Sequence, residues 1–152
     1  MRTKLVISLL IIIVAGCTSK STHIGDPKMV LKEYIQKSFS IKNINERKEL
    51  EKFLVGEAKT RMSAWSEAQF YRAFVEVKRE FGSLLFRETQ EINANELNVV
   101  YELSYVDQNR GHDAKVTQKK MATLINRDGH WLIESVRNLK ETVEFRNELA
   151  LP

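Results

Sequence analysis

Cysteine is the rarest residue of diagnostic value here: the 152 residues contain one, Cys17. A single thiol excludes an intrachain disulfide framework and any metal site built from several thiolates. Two prolines and six glycines are too few for a collagen-like or low-complexity chain. A hydrophobic share of 43% is too high for a chain that never folds. His23, His112 and His130 are the three histidines, and their positions offer no metal-ligand spacing. No glycine-rich phosphate cradle and no nucleophile in an elbow pattern is present. No apolar run reaches the roughly 20 residues that a membrane-crossing helix needs. The length suits one conventional domain, and no cofactor is expected.

What is present starts at the N-terminus, where twelve of the first seventeen residues are hydrophobic. Met1-Arg2-Thr3-Lys4 is a short positive segment, and Leu5 to Val14 is an apolar run interrupted only by Ser8. That order and length describe an export signal. It is followed by Val14-Ala15-Gly16-Cys17, which resembles the lipobox of bacterial lipoproteins, with Val14 in place of the commonest Leu. The resemblance implies a diacylglyceryl group on the Cys17 sulfur and cleavage between Gly16 and Cys17. Two or more acyl chains make such an attachment durable, whereas one anchors marginally. Thr18 and Ser19 follow the cysteine. The absence of Asp directly after it favours the outer membrane, facing the periplasm, if the source is Gram-negative.

The formal charge is +4, and Arg2 and Lys4 in the signal supply two of those positives. So mild a balance argues against a nucleic-acid partner. Lys115, Lys119, Lys120 and Arg127 read as a modest basic strand edge, of the kind that protects against edge pairing.

Thr18 to Gly25 is polar and aperiodic, a tether whose eight residues extend at most about 26–29 Å. Asp26-Pro27 then signals a helix start. Val30, Leu31, Tyr34, Ile35, Ser38 and Phe39 form its helical stripe. A second helix is expected from Asn45 to Gly56, carrying Leu50, Phe53 and Leu54. A third helical region runs from Glu57 to Val75, broken near Ser66, where Ser66 and Gln69 make a capping box. Its apolar residues Met62, Trp65, Phe70, Tyr71 and Phe74 are most simply core.

The period then changes from helical to alternating. Strands are expected over Ser83–Ile92, Glu96–Asp107, Ala114–Arg127 and His130–Leu139. Asp128-Gly129 is a type I′ hairpin signal. In the second strand Leu97, Val99, Tyr101, Leu103 and Tyr105 share one face. In the fourth, strict alternation puts Trp131, Ile133, Ser135, Arg137 and Leu139 together. Helices followed by an antiparallel meander describe an α+β fold, with N-terminal helices packed on a curved sheet of about four strands. The layout and the closing Asp128-Gly129-His130-Trp131-Leu132-Ile133 resemble the NTF2-like (cystatin-like) cone. The resulting organisation is 1–16 signal peptide, 17–26 lipidated cysteine and tether, 27–140 NTF2-like domain and 141–152 tail.

Folds of this kind carry both enzymes and non-catalytic modules, so the fold leaves function open. Tyr101 and Arg137 fall on faces assigned to the interior, and Tyr34 and Tyr71 approach from the helices. Such a Tyr–Arg set can orient an anionic or hydroxylated ligand, but it supplies no base. Glu102 and Glu134 fall on the opposite faces, and His112 and His130 lie at turns. Three readings follow. The leading one is a membrane-anchored, non-enzymatic binding or interaction module for a protein partner or a small hydrophobic ligand. The second is an NTF2-like enzyme of isomerase or hydrolase type, which requires Glu102, Glu134 or a histidine to point inward. The third is a self-associating envelope scaffold, dimerising through its sheet.

Overall fold

The computed structural model describes residues 25–145. The signal, Gly16, Cys17, the tether as far as Ile24 and residues 146–152 lie outside the described residues.

The first helix, α1 (Pro27–Ser40), begins as its sequence dictates: the Asp26 carboxylate accepts from the Lys28 amide at 2.9 Å, and Pro27 occupies the first turn. That bond satisfies one of the amides left without an intrahelical partner. Val30, Leu31 and Ile35 are buried beneath it. A single 3-10 turn (Ile44–Glu46) leads into the short α2 (Arg47–Glu51). The second helix therefore stops well before Gly56. The chain instead becomes extended at Phe53–Val55 and bonds to the last strand: the Ile133 amide donates to the Phe53 carbonyl at 2.8 Å, and the Val55 amide donates to the Ile133 carbonyl at 3.0 Å. This parallel bridge covers part of a sheet edge that would otherwise present free backbone groups.

Gly56 turns the chain from that bridge into α3 (Gly56–Ala64) with φ +53°. A Cβ there would lie 3.0 Å from Glu134 Cγ, so the position favours glycine for both backbone and space. After α3 the capping box forms as expected. The Ser66 amide donates to the Gln69 side chain at 2.7 Å, and the Gln69 amide donates to Ser66 Oγ at 3.2 Å. The short α4 (Glu67–Phe70) passes into a π-helical turn, Tyr71–Val75, closed by the Glu76 amide donating to the Tyr71 carbonyl at 2.9 Å.

Four antiparallel strands follow in meander order: β1 (Arg79–Asn93), β2 (Glu96–Asp107), β3 (Lys115–Arg127) and β4 (His130–Glu144). The β3–β4 turn has positive φ at both Asp128 and Gly129, as a type I′ turn requires. β1 starts four residues before the expected Ser83, because Gly82 is a bulge inside the strand and not its boundary. A Cβ at Gly82 would meet the Ser104 carbonyl oxygen at 2.9 Å, which explains the glycine. β4 likewise continues to Glu144, past the expected strand end at Leu139 and into the segment 141–152 expected as tail.

The result is an α+β fold, helices on a curved four-stranded antiparallel sheet, as the NTF2-like (cystatin-like) resemblance implies. Leu31, Leu50, Phe70, Leu124 and Ile133 are wholly enclosed between helices and sheet. Each such side chain contributes about 1.5–3 kcal/mol by leaving water. The residues of this core all lie between Leu31 and Ile133, so a chain beginning at Thr18 retains the entire packing unit.

Candidate functional site

The sheet's concave face does not close completely on the helices. Between them lies a concavity of about 290 Å³, at the lower end of the roughly 300–1,000 Å³ of small-molecule sites. α1 contributes Tyr34, Ile35, Ser38 and Phe39 to its wall; the segment from Leu54 to Trp65 adds Leu54, Ala58, Met62 and Trp65, and the π-helical turn adds Phe74. From the sheet come Arg79 on β1, Tyr101, Leu103 and Tyr105 on β2, Gln118 and Lys120 on β3, and Ser135 and Val136 on β4. Glu57 and Arg61 complete the lining, paired with each other one helical turn apart and both largely exposed.

Strand register sets the order of these groups. Tyr101 stands opposite Lys120, and Leu103 opposite Gln118. Ala122 and Val136 pair one step further along, followed by Leu124 and Ile133. The cationic and amide side chains thus gather towards the Tyr105 end of β2. The Val99 end is aliphatic, with Leu54 beside Ile133.

The electrostatics follow from burial. Tyr101 is 2% exposed, and burial together with the neighbouring Tyr34 phenol raises its pKa strongly. Burial pushes the Tyr34 phenol up to about 12. Both are therefore neutral O–H groups at physiological pH, and neither hydroxyl has a hydrogen-bond partner among the described residues. Burial lowers the Lys120 pKa, the Arg79 charge lowers it further, and Glu141 opposes them. Among the described residues Lys120 forms no ion pair; Glu141 is held instead by Arg110 Nη1 at 2.7 Å and Gln118 Nε2 at 2.6 Å. Arg79 lies over the rings of Phe39 and Tyr105, at 5.4 and 5.8 Å from their centroids, and donates to the Ala73 carbonyl at 2.7 Å. The Tyr105 end of the concavity thus holds two cations, and among the described residues no carboxylate forms an ion pair with either.

Of the four residues expected to form a pocket, the structure brings Tyr34 and Tyr101 together. Tyr71 and Arg137 are corrections. Tyr71 opens the π-helical turn, whose extra residue per turn changes the phase of the helix. Phe70 stays buried and Phe74 reaches the concavity, while Tyr71 is 44% exposed. Arg137 is displaced by a bulge in β4: Thr123 pairs with Ser135, but Leu124 pairs with Ile133, leaving Glu134 as the extra residue. One extra residue reverses the side-chain alternation. Val136 turns inward opposite Ala122, and Arg137 turns outward opposite Met121. A second bulge at Leu139 leaves that side chain 51% exposed.

The basic strand edge is also corrected. β3 is flanked by β2 and β4, so it has no free edge. Lys119 stands opposite Glu102, and Lys120 lines the concavity. Glu102 itself accepts from Arg87 at 2.7 Å on the outer face, and this bond holds its carboxyl below the usual range. Glu134 packs beside Gly56 and does not line the concavity. His112 is exposed in a turn, and His130 is exposed at the start of β4.

Arg79 and Lys120 are the residues that sequence reasoning missed. Lys120 carried a usable signal, since it shares parity with Val116, Ala122 and Leu124, all fully buried. Arg79 was hidden by placing the strand's start beyond Gly82.

No protein-family model matches the chain, and no curated protein matches it in sequence. Among solved structures, it is similar to an uncharacterised protein with a cystatin-like fold from Caulobacter vibrioides. The two are 16% identical with a TM-score of 0.47, over 81% of this chain and 93% of that one.

Proposed function

We propose that this chain is a lipid-anchored protein of the bacterial cell envelope, attached to the membrane through acyl chains on Cys17, whose folded domain is a non-enzymatic binding module for a small ligand. One observation carries the binding role: the concavity is lined by Tyr34 and Tyr101, whose hydroxyls have no hydrogen-bond partner among the described residues, inside a largely aromatic and aliphatic wall. A few polar groups converging in an apolar cleft are the usual makings of a ligand site. The groups an acid–base mechanism was expected to use, Glu102, Glu134, His112 and His130, do not line it. Glu57 does, but it is exposed and ion-paired with Arg61.

The anchoring role rests on the ordered signal and lipobox, and Thr18 in place of Asp directly after Cys17 favours the periplasmic face of the outer membrane if the source is Gram-negative. Two measurements test the proposal. Metabolic labelling with a fatty acid analogue is expected to mark the wild-type chain and not Cys17→Ala; label and membrane partitioning that survive the substitution would refute the anchor. Native mass spectrometry of Thr18–Pro152, purified without denaturation, is expected to show a monomer carrying a small bound molecule. A ligand-free dimer would favour the scaffold reading instead.

A further inference from the structure

The two cations at the Tyr105 end of the concavity, Lys120 and Arg79, bear on the ligand's chemistry. A lysine and an arginine lining one cleft repel each other, and removing them from water costs free energy unless an anion compensates. Glu141, the carboxylate whose charge acts on Lys120, already accepts from Arg110 and Gln118, and Asp107, the strand partner of Arg79, pairs with Arg110 at 3.4 Å. Other charged groups facing the space are Glu57 and Arg61, which neutralise each other. The balance at the Lys120 end is therefore positive, while the far end, at Leu54 and Val136, is aliphatic.

We propose, building on the binding-module reading, that the concavity takes a small single-chain amphiphile with one anionic head, seated between Lys120 and Arg79, its tail directed towards Leu54 and Val136. The Tyr101 hydroxyl, on the residue opposite Lys120, donates to the same head. Arg79 is held in place by its bond to Ala73 and its contacts with Phe39 and Tyr105, so its charge is positioned before the ligand arrives. Among the described residues Lys120 has no ion pair to break, and it moves onto the anion without exchanging one partner for another.

Titration of Thr18–Pro152 with octanoate, octyl phosphate and octanol tests this, with Trp65 in the wall as the fluorescent reporter and Trp131→Phe as background. At least one anion should bind about tenfold or more tightly than octanol, the order expected for one charge-assisted hydrogen bond. The tighter of the two identifies the head as carboxylate or phosphate. Lys120→Met should reduce that preference, and Lys120→Arg should restore it. Equal binding of octanol and both anions overturns the proposal but leaves a binding module. If none of the three binds while the purified chain retains some other molecule, the amphiphile fails and the module stands. If none binds and nothing is retained, both readings fail.

Discussion

Tyr34 and Tyr101 depend on their surroundings in a way that pH can expose. An unperturbed phenol ionises near 10, whereas burial raises Tyr34 to about 12 and Tyr101 in the same direction. For a group whose folded value lies above its unfolded value, the contribution to stability is complete below the unfolded value. It is lost as pH rises through the folded one. Stability should therefore decline from about pH 10 towards pH 12, and Tyr34→Phe should reduce the decline. Urea titrations across that range, read beside phenolate absorbance, check this; an unchanged slope in Tyr34→Phe would contradict it. Tyr101 was legible because β2 alternates without interruption, its buried residues falling at every second position. Arg137 was not, because no composition cue announces the bulge at Glu134, and one unpaired residue moves every later side chain to the opposite face.

Single residues hold several elements at their boundaries. Arg47 at the start of α2 donates to the Trp65 carbonyl at 2.9 Å and to the Met62 carbonyl, satisfying carbonyls at the end of α3. It also lies over the Phe70 ring, 5.6 Å from its centroid. Arg47→Met should cost about 2 kcal/mol or more, since hydrogen bonds to charged donors contribute about 1.5–3 kcal/mol. Chemical denaturation measures the loss, and a change within about 0.5 kcal/mol would assign the site to ordinary surface behaviour. Gly82→Ala tests β1 in the same way. The added Cβ meets the Ser104 backbone at 2.9 Å, and overpacking of this kind costs about 1–3 kcal/mol. Local signals were most readable where chemistry is local: Asp26-Pro27, Ser66 with Gln69, and Asp128-Gly129 all sit where their turn and cap preferences put them. The early end of α2 was not readable, because what stops it is the bond from Phe53 and Val55 to Ile133, a partner some eighty residues away.

Across the whole molecule, the order of helices before strands was enough to fix the layering, since an antiparallel sheet needs one face covered and the amphipathic helices supply the cover. The same layering produces the concavity: β1 and β4 are bent by bulges, and a bent sheet leaves space that flat packing would close. The cationic end of that space was invisible to composition, because a near-neutral chain can still gather two positive side chains at one register level. The proposed binding places the ligand on the concave face. Amide chemical-shift mapping of Thr18–Pro152 with the tightest-binding of the eight-carbon probes tests it most directly. Shifts are expected to concentrate at Tyr34, Tyr101, Lys120 and Val136, leaving Arg87, Glu102 and Arg137 on the outer face unmoved. Shifts centred on Arg87, Glu102 and Arg137, with the concavity silent, would contradict it.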